Sequence, residues 1–383
     1  MKIIVVSGMG VVWQNYKPDR LDVGEEALGG GEGSLLRTAF ALASFGHEVD
    51  VFIPLAGPSP TIYKNVRFFH LREFYDALFS VAEPYDALCS WSDAKAIQYC
   101  PPQTRRVFVQ QLNDMPLELP FWRMVDVVVP ASATHGRYLS RWQPTGASVA
   151  YVPLYGGVIP ELWKDAPAWP LRKRVVSWWS SPDRGLHHLL SIWPRVRREV
   201  PDAELRVAYH AYRFIDGMRD ELMFGEGAWR ARSLEASLRA ARRAGGVTIL
   251  GPIGRRALAK HQGETKVLAQ MLDPIVPTEG LGVAVSEGIA AGCWPIVRPD
   301  DAFREVYDGF VQWVPSAICD DAWRDRFVDA IIHALRADVN PYEARSKEFC
   351  RLFTWEVAGR ALERACQLPV TRPDQEFGRY QGM

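Results

Sequence analysis

The chain predicts an α/β protein of two Rossmann-like, doubly wound parallel-sheet domains facing a central cleft. Three observations lead there. Its 383 residues exceed what one ordinary hydrophobic core organises. Short apolar runs alternate with helical patterns along nearly the whole chain, the signature of repeated βαβ units. A Pro- and Gly-rich stretch without period, 156–171 (GGVIPELWKDAPAWPL), divides the series and reads as a linker.

The elements follow in order. Residues 2–7 (KIIVVS) form an apolar run ending at glycine, as a strand buried on both faces does. A long loop runs to Leu28. In GGGEGSLLRTAFALASFGHEVDVF, Leu35, Leu36, Ala39, Phe40 and Leu42 recur at helical spacing and Gly46 ends the helix. Residues 48–53 make the next strand, so the first sheet is parallel. Further strands are expected at 86–90, 106–110, 126–130 and 148–152, then beyond the linker at 174–178, 204–209, 247–250, 268–272, 294–298 and 311–314. Trp323, Phe327, Ala330, Ile331, Ala334 and Leu335 mark an amphipathic helix. The Arg-rich stretch 229–243 reads as a solvated helix, with a nucleic-acid patch as the alternative. The expected domains are 1–160 and 171–353, with a C-terminal helical segment, 354–383, packing back on the first.

Bulk properties narrow the function. Apolar residues are 48% and charged residues 23%, and the formal net charge is zero, so no global field draws the protein to nucleic acid or an anionic membrane. Six scattered cysteines show no C-x-x-C spacing; neither a zinc site nor a redox pair is suggested, and scattered thiols fit a reducing cytoplasm. No apolar run approaches a membrane span, while a peripheral membrane contact stays open.

The stretch PTEGLGVAVSE, 277–287, holds the most specific chemistry. Glu279 precedes a glycine turn and Glu287 lies about one turn into the following helix. The first amides of a helix lack partners inside it and carry the positive dipole end, so they suit a diphosphate. Gly280 and Gly282 flank Leu281 and let backbone approach a ligand, and Val283 opens the helix. Glu287 can accept two hydrogen bonds from a ribose diol, and Glu279 can reach hydroxyls beyond the phosphates. The spacing fits a ligand built as nucleoside, diphosphate and sugar. Taken in isolation, a pair of this kind favours the plainer reading of a helix whose first-turn acid offsets its dipole.

Four segments resemble glycosyltransferase family 4, retaining, nucleotide-sugar-dependent enzymes of the GT-B fold. EGLGVAVSEGIAAGCWPIV resembles the family's EGFG…EA.A.G.P.V signature, SSPDRGLHHLL its S-P-E-K-G-L opening, GGGEGSLLRTAFALASFGHEVDVF its GGAE…GHEV segment, and FTWEVAGRALERA its closing F-S-W-E helix. They stand in family order and span nearly the whole chain. The resemblance implies transfer of a sugar from a nucleotide-diphosphate donor to an acceptor hydroxyl, with retention.

Arg184 occupies the position of the family's Lys in S-P-E-K-G, where a fixed cation stabilises charge on the departing β-phosphate. The family's second basic residue, in a G-R pair five positions earlier, is replaced here by Trp178–Trp179, so another cation is needed or the diphosphate is neutralised differently. Gly30, Gly31 and Glu32 match GGAE, which in the family faces the cleft; Gly251 and Pro252 match the turn beneath the nucleotide base. The family's first-domain His has no counterpart in RVFVQQLND. Asp93, which follows a strand, and Asp114 remain acceptor-side candidates, as does His135, which has a plainer alternative as a surface or capping residue. Trp13, Tyr16, Trp91 and Phe121 could line a sugar or fill the core. Gly8-Met9-Gly10 lacks the third glycine of a dinucleotide fingerprint. No D-x-D follows a strand, so no metal or other cofactor is expected. The acceptor expected from the resemblance is a cell-surface or lipid-linked glycan. Alternatives are a non-catalytic nucleotide-sugar-binding partner protein, a nucleotide-sugar epimerase, and a phage-type DNA-base glycosyltransferase, which neutral charge disfavours.

Overall fold

The computed structural model describes residues 1–7, 17–23, 29–80, 84–113, 115, 119–219, 225–272, 279–315 and 322–368. They form two compact units. The first contains the described residues of Met1–Lys17, Leu35–Leu154 and Gly359–Met383; the second contains those of Pro18–Ser34 and Tyr155–Ala358. The boundaries differ from those expected at two places. The first turn of the helix Gly30–Ser44 and the short helix Pro18–Val23 group with the second unit, and the C-terminal helix Trp355–Gln367 joins the first unit from Gly359 onward.

The first unit carries eight strands: β1 (Lys2–Ser7), β2 (Glu48–Ile53), β3 (Thr61–Tyr63), β4 (Val66–His70), β5 (Ala87–Trp91), β6 (Arg105–Gln110), β7 (Val127–Pro130) and β8 (Ala150–Tyr151). Their spatial order is β3-β4-β2-β1-β5-β6-β7-β8. All neighbouring pairs are parallel except β3–β4, an antiparallel edge pair. Ile3 to Val6 are buried, as a central parallel strand covered on both faces requires. The sequence reading missed β3 and β4. Arg67 interrupts the apolar run of β4; it tolerates that place because Asp50 of β2 accepts two hydrogen bonds from it, at 2.6 and 2.9 Å. Trp91 and Phe121 are 1% and 0% exposed, so both are core and neither lines a sugar surface.

The second unit holds β9 (Val175–Trp178), β10 (Glu204–Val207), β11 (Val247–Ile249), β12 (Val267–Gln270), β13 (Trp294–Val297) and β14 (Gln312–Trp313), ordered β11-β10-β9-β12-β13-β14 and all parallel. Numbered within the unit, that is the 3-2-1-4-5-6 order of a doubly wound sheet. Its core includes Trp169, Trp178, Leu189, Trp193, Ile296 and Phe327. The stretch expected to be a linker is packed rather than free: Trp163 and Trp169 are buried, and their indole N–H groups donate to Gln262 Oε1 and Ala337 O. The helix Gly225–Ala244 is not the fully solvated one expected. Ala231, Leu234, Leu238 and Ala241, spaced three and four apart, are buried against the core while Arg232, Arg239, Arg242 and Arg243 are exposed.

Candidate functional site

Open α/β sheets bind ligands beyond the strand C-termini where the strand order reverses. In the second unit that point lies between β9 and β12. The chain leaves β9 through Trp179 and Ser180 and turns at a 3-10 segment, Pro182–Arg184, into the helix Leu186–Glu199. Gly185 makes the turn possible. Its φ of 103° is a left-handed conformation, and a Cβ there would stand 1.8 Å from Met271 O, just past β12. The turn presents Arg184, whose Nη1 donates to Asp183 Oδ2 at 2.9 Å and whose Nε lies 3.4 Å from Glu279 Oε2. Residues 184 and 279, far apart in sequence, thus meet at the switch point.

Glu279 begins the loop into the helix Val283–Ala290. Gly282 caps that helix with φ 86°, and a Cβ there would collide with the Phe303 ring at 2.3 Å. Glu279 Oε1 accepts from the amides of Leu281 (3.3 Å) and Gly282 (2.8 Å), and its own amide donates to Asp301 Oδ2. The mouth is therefore not the row of unpaired amides expected, because a mostly buried carboxylate next to a glycine turn takes the nearest donors. The amides of Val285 and Ser286 turn back on Gly282 O. Those of Val283 and Ala284 have no acceptor among the described residues and remain the open donors at the dipole's positive end. From beneath, the Tyr307 hydroxyl sits 2.8 Å from Leu281 O, Gly282 O and Ser286 Oγ. Burial raises the Tyr307 pKa further above its usual value, so the phenol stays protonated and can donate. Burial also raises the Glu279 carboxyl, against the lowering by Arg184 and the two amides.

One turn further, Glu287 does not offer the free diol-binding carboxylate expected. Its Oε1 accepts from Arg255 Nη2 at 3.0 Å and its Oε2 from Gln262 Nε2 at 2.7 Å, because a 7%-exposed carboxylate needs partners. Each oxygen keeps a second lone-pair direction for a ligand. Gly251 and Pro252 form the turn from β11 into the helix Arg255–Glu264, which supplies both partners. Gly30 and Gly31 open the helix Gly30–Ser44, and a Cβ at Gly30 would lie 3.4 Å from Val283 Cγ2, so two glycine-rich helix mouths abut. Glu32, 6% exposed, is held by the amide of Gly29 and by its own, while burial raises its pKa. Trp178 is core, and Trp179 donates through Nε1 to Ala284 O at 3.0 Å, a packing role in the place where the family has a cation.

The structure thus groups Arg184, Glu279, Gly280, Leu281, Gly282, Val283, Glu287, Gly30 and Gly31 within one unit, with Gly251 and Pro252 leading into it. The acceptor-side candidates belong to the other. Asp93 caps the helix Ala94–Gln98, accepting from the amides of Lys95 and Ala96. His135 is 2% exposed; its Nδ1 accepts from Ala131 N and its Nε2 lies 3.0 Å from Leu112 O, so it is a structural tie of the loop after β7 rather than a surface group. Asp114 lies outside the described residues. Sequence reasoning missed Asp183, Arg255, Asp301 and Tyr307. Arg255 alone carried a signal, being a cation at a helix start, where the dipole disfavours it. Among the described residues no group of three His, Cys, Asp or Glu side chains could hold a metal ion. Nor is any described helix long and apolar enough to cross a membrane.

No protein-family model and no curated sequence matches the chain. Solved structures do. Sucrose-phosphate synthase from Thermosynechococcus elongatus superposes with a TM-score of 0.65 at 15% identity, covering 96% of this chain and 98% of that one. HepE of Anabaena in complex with UDP and glucose gives 0.64 at 14%, covering 96% and 100%. An α,α-trehalose-phosphate synthase (UDP-forming) from Burkholderia xenovorans in complex with glucose-6-phosphate gives 0.66 at 13%, covering 96% and 100%. Likeness of that extent over both chains establishes the GT-B architecture of two parallel-sheet Rossmann-like domains.

Proposed function

We propose that the protein is a glycosyltransferase that moves a sugar from a nucleotide-diphosphate donor to an acceptor hydroxyl. The observation that carries this reading is the meeting of Arg184 and Glu279 at the strand-order reversal, beside the open amides of Val283 and Ala284. A pyrophosphate at those amides lies next to the Arg184 guanidinium, and the sugar beyond it reaches Glu279 and the amides that Glu279 now holds. The ribose end falls toward Glu287, one turn along the same helix. The structural neighbours solved with UDP, glucose and glucose-6-phosphate support the same substrate class.

In the transfer, the bond from the anomeric carbon to the phosphate oxygen breaks and a bond to the acceptor oxygen forms. Charge accumulates on the leaving phosphate, where Arg184 and the helix amides are already oriented, so stabilisation needs little reorganisation. The acceptor's proton passes to a phosphate oxygen on the same face, which retains configuration. Retention and a cell-surface or lipid-linked glycan as acceptor are parts of this proposal that rest on the motif resemblance, and independence from divalent cations rests on the sequence having no D-x-D after a strand.

A thermal-shift screen of UDP, GDP, ADP and CMP tests the donor site. A nucleotide at about 100 times its Kd adds about 2.7 kcal/mol to folded-state stability. Stabilisation by a nucleoside diphosphate is expected, and its absence for all four contradicts the proposal. The second reading, a nucleotide-sugar-binding partner protein without transfer, is favoured only by Trp179 standing in the family's cation position. Hydrolysis or transfer of any nucleotide sugar eliminates it.

A further inference from the structure

We propose that Arg255 is the second diphosphate-binding cation of this site, held on Glu287 until a donor arrives. The inference rests on the glycosyl-transfer reading above. Charge makes the need plain. Arg184 faces two carboxylates, Asp183 and Glu279, so a diphosphate arriving there meets a cation already shared. The position that should add a second cation holds Trp179, fixed to Ala284 O. Arg255 is a further arginine beside the helix Val283–Ala290, in contact with its Glu287, and one that the sequence reading left unassigned. It spends one nitrogen, Nη2, on Glu287, while its Nε and Nη1 have no acceptor among the described residues, the Nε being buried.

Its place suits the exchange. Glu287 lies four residues behind Val283, about 6 Å along the helix axis. A Cβ at Gly33, three residues behind Gly30, would stand 3.7 Å from Arg255 Nη1. Arg255 therefore spans the two helices one turn behind their abutting mouths. When ribose hydroxyls take the Glu287 carboxylate, which Gln262 continues to hold, the guanidinium is released toward the phosphates, where it can bind two oxygens at once. The same movement thus opens the ribose site and neutralises the diphosphate.

The test is calorimetry with UDP, GDP and ADP and with their nucleosides, on the whole protein and on Arg255→Gln, Arg255→Lys and Glu287→Gln. The readout is the ratio of diphosphate to nucleoside affinity, which isolates the phosphate contribution. For Arg255→Gln that ratio falls at least tenfold, Arg255→Lys restores part of it, and Glu287→Gln weakens nucleoside binding without lowering the ratio. If Arg255→Gln fails to fold, because the buried Glu287 is left without its cation, the double variant Arg255→Gln/Glu287→Gln gives the same fall in ratio. Wild-type binding of a diphosphate with an unchanged ratio in the Arg255 variants overturns this inference alone. A wild type that binds none of the three diphosphates overturns it together with the donor-site reading.

Discussion

Glu279 has two claims on one carboxylate. It caps the amides of Leu281 and Gly282, and it stands where a donor sugar would need it. The two claims separate by substitution. Glu279→Gln keeps an amide-facing oxygen and loses the charge. Because burial raises this carboxyl's pKa, its proton is bound more tightly in the folded state, and stability is lost as pH rises through the window between the unfolded and folded values. Glu279→Gln therefore melts no lower than wild type at neutral pH, while transfer falls roughly 10- to 100-fold, as loss of a charged hydrogen bond predicts. Glu279→Ala also loses the cap, worth about 0.5–2 kcal/mol in chemical denaturation. The same raised pKa makes nucleoside diphosphate binding weaken with rising pH, as an anion forms beside Arg184, Asp183 and Asp301. That part of the pH dependence is absent in Glu279→Gln, and an identical profile in the two proteins would contradict the assignment.

The loop 279–282 and the turn at Gly185 are the elements on which the site depends. Gly185→Ala must bear a left-handed backbone and a clash with Met271 O, roughly 2–5 kcal/mol by urea denaturation. Tyr307→Phe removes the hydroxyl beneath the loop and costs about 1–3 kcal/mol, with donor KM raised more than kcat is lowered. Much of this was legible in the sequence. Apolar runs marked the central strands, and the PTEGLGVAVSE stretch marked the helix mouth. What escaped depended on partners distant in the chain. β4 hid because Arg67 breaks its run and only Asp50 explains it. The helix Gly225–Ala244 looked solvated because its arginines outnumber a buried face of Ala and Leu. Glu287 looked free because Arg255 stands 32 residues away. Cys89 and Cys366, 277 residues apart, lie with their sulfurs 3.5 Å from each other, a proximity no spacing rule reveals.

At the scale of the whole molecule, both sheets reverse their strand order, the first between β1 and β5 and the second between β9 and β12, and the reversal point of the second carries the candidate chemistry. The fold is shared with solved structures whose names give different products, so it fixes the scaffold and leaves donor and acceptor to be argued from the site. Charge stabilisation by arginine and helix amides needs no divalent cation in this account. Transfer measured with and without EDTA should therefore be equal, and a loss restored by magnesium would contradict that part of it. The central claim is that the donor's pyrophosphate rests on the helix mouth of the second unit. A crystal structure with a bound nucleotide sugar tests it most directly. The account predicts phosphate oxygens within hydrogen-bond distance of the Val283 and Ala284 amides and the Arg184 guanidinium, with Glu279 facing the sugar. A pyrophosphate bound away from those amides, with Glu279 still closed on Leu281 and Gly282, would contradict it.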